Sequence, residues 1–257
     1  MKQTYTLLGV FRYEFRMQIR RPTLWLAFLV LAALFGTGSG LIGFLINSHH
    51  DTWFSQVVQL TNSTNTLFPI YVGVLLADRL SRDKRTKVDE LLYTMPTRLS
   101  TRLLGKYLGS TCATIIPMFL YYCIGVSFII YQSHNVLVLP LAVETFAAIA
   151  LPGLLFISAF SIACPAFMWV PLYQFLFVGY WFWGNVLSPH QGIPTLSPTL
   201  LTPRGGNMTV GFFGGHAFPV ASATPLQGIE SMLLLIGIAI LVLYVLWSLL
   251  KWQQARQ

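Results

Sequence analysis

The chain has 257 residues, of which 55% are hydrophobic, 14% aromatic and only 9% charged, with a mean hydropathy of +0.65. So little polar sequence cannot coat a soluble domain of this size, and the composition points to an all-α membrane protein. The formal charge of +8 does not call for nucleic acid, because Lys and Arg segregate by loop and form no single basic domain.

Residues 5–21 open the chain with an amphipathic pattern that predicts an interfacial elbow helix. Leu8, Phe11, Phe15 and Ile19 fall on one stripe, with Arg12, Arg16 and Arg20 on another about 100° away. The aromatic face would sink into membrane lipid while the arginines meet anionic headgroups. Pro22 then suits a turn into the first span, read as an uncleaved helix because a polar stretch containing Glu14 precedes it.

A spanning helix needs roughly 20 apolar residues. Six stretches qualify, at about 24–46, 58–78, 105–131, 137–163, 167–187 and 228–250. In the first, Gly36, Ser39, Gly40 and Gly43 make a small-residue face suited to close helix packing. Spans four and five are divided only by Pro165 and Pro171, which predicts a tight hairpin. Glu144, inside span four, is open to two readings: part of a transport pathway, or a carboxyl that snorkels or bonds a neighbouring helix. Trp169 and Tyr173, in aromatic span five, fit either an interfacial belt or a substrate-facing wall.

Residues 188–227 contain six Pro and six Gly, which preclude a long regular helix. Short helices or a re-entrant loop resting on the outer membrane surface are expected there. Basic residues number five before span one, eight from Arg79 to Lys106 and two after span six, against Arg204 alone elsewhere. The positive-inside rule therefore makes both termini and the 79–104 loop cytoplasmic.

Enzymatic signatures are missing. Gly105–Tyr107 lacks the glycine and hydroxyl residue of a phosphate-binding loop, no HExxH occurs, and Cys112, Cys123 and Cys164 show no metal-ligand spacing. No catalytic residue, metal site or cofactor is expected in this chain.

The cytoplasmic segment 79–104 is more specific. Val88, Leu91, Leu92 and Met95 recur at helical spacing beside Asp89 and Glu90; Pro96 forces a turn, and Thr97 can cap a helix that runs from Arg98 into span three. "DELLYTMPTRLSTRLLGKYLG" resembles the segment between the second and third spans of permease subunits of type-2 ABC exporters. The matching positions are Glu90, Leu91, Leu92, Pro96, Thr97, Arg98, Gly105 and Lys106, and the elbow, six spans and long outer segment are similar too. The resemblance implies that Val88, Asp89, Glu90, Leu91, Leu92, Met95, Pro96 and Arg98 dock as a coupling helix on a separate ATPase, with Gly105 and Lys106 starting the lever into span three. It further implies two ATPase subunits carrying ATP and Mg, a second identical or related permease, and residence in the plasma membrane. Two other classes fit the composition: a membrane enzyme or assembly factor using the 188–227 segment, and an anchor that recruits a cytosolic protein.

Overall fold

The computed structural model describes residues 2–36, 52–85, 98–187, 194–217 and 219–256, and these are helical with no strand among them. The helices are α1 (Lys2–Ile19), α2 (Pro22–Gly36), α3 (Trp53–Leu76), α4 (Asp78–Arg85), α5 (Leu99–Ser133), α6 (Val138–Ala166), α7 (Val170–Trp181, continued by a π-helical turn Phe182–Val186), α8 (Gly206–Phe213) and α9 (Pro225–Ala255).

Three of them are long and apolar enough to cross a membrane: α5 with 35 residues, α6 with 29 and α9 with 31. At 1.5 Å per residue α5 is about 52 Å long, well beyond a hydrocarbon core of about 30 Å, so one end projects. The other stretches expected to span are less uniform. α3 is 24 residues long, but Gln56, Gln59 and the run Thr61–Thr66 make its first half polar. α2 has 15 described residues, and α7 is a 12-residue helix before its π turn.

Local chemistry sets the boundaries. The Thr52 side chain accepts from the Ser55 amide at the start of α3. α5 ends where His134 enters the left-handed region at φ 50°, with its amide on the Ile130 carbonyl. α9 opens with a full capping box, Thr224 and Gln227 bonding each other's backbone amides, and with Pro225 in its first turn.

Side-chain bonds fix the directions. On α3, Thr61 meets Tyr122 of α5 and Thr145 of α6, and Asn65 meets Ile149 of α6. Trp181 and Gln174 of α7 donate to the carbonyls of Thr66 and Val74. Hence α6 runs parallel to α3, and α5 and α7 run antiparallel to it. Among the described residues the buried apolar side chains form three clusters: Leu24, Phe68, Tyr71, Met118, Leu154, Ala239 and Leu246 share one, and Tyr173, Phe177 and Trp181 of α7 pack with Ile149, Ile157 and Leu235 in another. The helices are held mainly by this apolar packing, α1 being the exception.

Candidate functional site

α1 turns its polar face, and not its apolar stripe, toward the rest of the protein. Leu8 is 61% exposed and Phe11, Phe15 and Ile19 are half-buried, whereas the residues it buries are Glu14 and Gln18. Arg12, Arg16 and Arg20 stay exposed, as cations meeting headgroups would. The reason lies on α5. Gly105 and Gly109, one turn apart, form a groove in which α1 lies: a Cβ on Gly105 would stand 2.8 Å from Val10, and one on Gly109 would stand 2.6 Å from the Phe11 carbonyl. That approach brings the polar third face of α1 against the start of α5.

Between the two glycines Lys106 reaches Glu14, with Nζ 3.5 Å from Oε1, and Arg79 Nη2 lies 3.7 Å from Oε2. All three side chains are withdrawn from solvent, Arg79 to 2% exposure. One turn on, Gln18 Nε2 donates to Thr114 Oγ1 at 3.2 Å. Two cations thus share one buried carboxylate, an arrangement that repays its desolvation only while the anion stays in place. Burial pulls the Arg79 guanidinium below its ordinary pKa, and Glu14 and Asp78 oppose the shift; an arginine remains charged regardless. Glu14 Oε2, Gln18 Oε1 and the Nε and Nη2 of Arg79 make no hydrogen bond, so charge attraction without full hydrogen bonding holds the cluster.

Its position is what matters. Arg79 stands in the first turn of α4, which leads into segment 86–97, and Lys106 stands in the third turn of α5, which leads out of it. Both flanks of the segment are therefore tied to the same carboxylate on α1. No protein-family model matches this chain, and no curated protein does. The reading of the site rests on its geometry.

Of the residues singled out in the sequence, Val88, Asp89, Glu90, Leu91, Leu92, Met95 and Pro96 lie outside the described residues, as do Ser39, Gly40 and Gly43; Gly36 ends α2. Arg98 is the exposed N-cap of α5. Gly105 and Lys106 are brought together with Glu14, Gln18 and Arg79; in the sequence Arg79 serves only as a topology signal and Glu14 only as a sign of an uncleaved first helix, and Gln18 is not singled out. The signal that could have found them is the second GxxxG, Gly105 to Gly109, with a lysine inside it, facing a helix whose lone acid is followed by Gln at i+4.

Glu144, Trp169 and Tyr173 do not converge. Glu144 is on an outward face of α6, and Trp169 is 69% exposed in the turn before α7. Tyr173 is buried with its hydroxyl 2.8 Å from Ser161 Oγ, which is 17 residues or about 25 Å along α6 from Glu144.

Residues 194–217 pack inward against α3 and α6. Asn65, in the middle of α3, donates through Nδ2 to the carbonyls of Ile149, Pro203 and Arg204, the last at 2.8 Å. Gly205 there adopts φ +85°, and a Cβ on it would meet Ile149. α8 then climbs back until Gly215 touches Val58, near the start of α3. The segment forms a plug packed among α3, α6 and α9, bonded further by Thr202 to Asn185 and by Ser231 to the Leu200 carbonyl.

Proposed function

We propose that this chain is the membrane-spanning permease subunit of an ATP-driven exporter of the ABC class. It has six spans (about 24–46, 58–78, 105–131, 137–163, 167–187 and 228–250), cytoplasmic termini and a place in the plasma membrane. Residues 88–98 dock on a separate ATPase that binds ATP and Mg, and two permeases, identical or related, enclose the pathway.

The observation that supports this best is the shared carboxylate. A loop that merely fixed topology would need no buried anchor, whereas here Arg79 before the segment and Lys106 after it are both tied to Glu14. Displacing the docking helix would pull on both cations, move α1 against α5, and carry the motion into span three. Discrete rearrangement of such contacts is how small displacements at one site become helix movements at another. In the docking stretch, aliphatic anchors would supply affinity and the flanking charges register.

The test is co-purification with a P-loop ATPase co-expressed with this chain. Wild type should retain the ATPase, and the double reversal Asp89→Lys/Glu90→Lys, or Met95→Asp, should lose it. Retention by all of these variants would show that the segment is not the docking site.

A further inference from the structure

The polar half of α3 is only partly used by the fold. Thr61 and Asn65 face inward and are bonded to α5, α6 and the re-entrant plug. Ser55, Gln59, Asn62, Ser63 and Thr66 fall on a different stripe, about 100° wide and about 16 Å long. Gln59 is exposed and Ser55, Ser63 and Thr66 are half-buried. Further along the same face, Gly73 is covered by the Phe177 ring, so the stripe is open only towards the start of α3.

Lipid is a poor neighbour for five amide and hydroxyl side chains. The hydroxyl protons are already committed: Ser55 donates to the Thr52 carbonyl, Ser63 to that of Leu60 and Thr66 to that of Asn62. What they turn outward is therefore oxygen that can accept. Asn62 adds a second and independent sign of a missing donor, for it is 8% exposed and its Oδ1 has no hydrogen-bond partner. No residue of the stripe is charged.

We infer that Ser55, Gln59, Asn62, Ser63 and Thr66 form the polar wall of the outer half of the translocation path. The wall receives the hydrogen-bond-donating part of a non-anionic substrate, hydroxyl- or amine-bearing and not carboxylate or phosphate. This rests on the transporter reading above and names the chemistry that reading leaves open. The hydroxyl oxygens accept and the Gln59 amide both accepts and donates, so an acceptor-rich surface without a cation attracts donors and disfavours anions, whose water no positive charge there replaces.

Single cysteines at Ser55, Gln59, Ser63 and Thr66, in a chain with Cys112, Cys123 and Cys164 changed to Ser, would be exposed in native membranes to three methanethiosulfonates: hydroxyethyl, aminoethyl and sulfonatoethyl. Val136→Cys, in the turn between α5 and α6, is the aqueous reference, and Phe175→Cys and Leu241→Cys are controls on exposed apolar faces. Gln59→Cys and Ser63→Cys should react while both controls stay silent. At these two sites the sulfonatoethyl reagent should be about tenfold slower than the other two, after division by its rate at the reference. Faster hydroxyethyl than aminoethyl modification would assign the donor as a neutral hydroxyl, and the reverse order as an ammonium. Equal or faster sulfonate modification would overturn the substrate class. Silence of Gln59→Cys while the reference reacts, or a spontaneous disulfide between two copies at that position, would overturn the wall itself. The ATPase co-purification is read separately, so its failure would remove the transporter reading without altering the labelling pattern.

Discussion

The two ends of the helical bundle are closed by different chemistry. At one end the plug of residues 194–217 is fixed by neutral hydrogen bonds: Asn65 to three carbonyls, Thr202 to Asn185, and Ser231 to the Leu200 carbonyl. At the other end α1 is fixed by one carboxylate between two cations, at 3.5 and 3.7 Å and with several polar atoms unbonded. Directional bonds from many partners hold a single arrangement. A charge cluster centred on one residue tolerates changes of distance and fails when that residue is lost. The first suits a fixed closure and the second a joint.

Substitutions can break this contrast. The largest effect is expected for Glu14→Ala, which leaves two buried cations facing each other and should cost about 3–5 kcal/mol in detergent-solubilised unfolding. Arg79→Met removes the surplus cation and leaves a neutral Glu14–Lys106 pair, so its cost should be clearly smaller, even though Arg79 is the more deeply buried. If Arg79→Met proved as damaging as Glu14→Ala, the joint would be a packing feature and not an electrostatic one. At the opposite end Asn65→Leu takes the amide donor away from three carbonyl groups and should cost about 1–3 kcal/mol. Hydrogen exchange should then rise in residues 203–209 while the amides of α1 keep their protection. The smallest change is expected from Tyr173→Phe, which removes one hydroxyl bond to Ser161 at about 1 kcal/mol and leaves both ends intact.

The sequence made the apolar frame legible, because hydropathy reports burial directly: α5, α6 and α9 are long apolar runs with clear ends. It was less informative wherever a polar residue's use depends on what faces it. Glu14 and Lys106 are 92 positions apart and read as local charge until Gly105 and Gly109 bring their helices together. The apolar stripe of α1 correctly marked an amphipathic helix, yet the buried face is its polar one, since periodicity cannot tell a lipid neighbour from a protein groove. The outer segment was legible as broken by Gly and Pro. Its depth was not, because Asn65 in the middle of α3 carries the bonds that draw it inward.

On the proposed function, motion of segment 86–97 reaches the bundle through Glu14. Spin labels at the exposed Tyr13 on α1 and Arg82 on α4, in a complex with the proposed ATPase partner, would report it by pulsed electron resonance. Trapping ATP should shift that distance by about 2 Å or more in wild type. The shift should vanish in Glu14→Gln while the ATPase stays bound. An equal shift in both proteins would contradict the account.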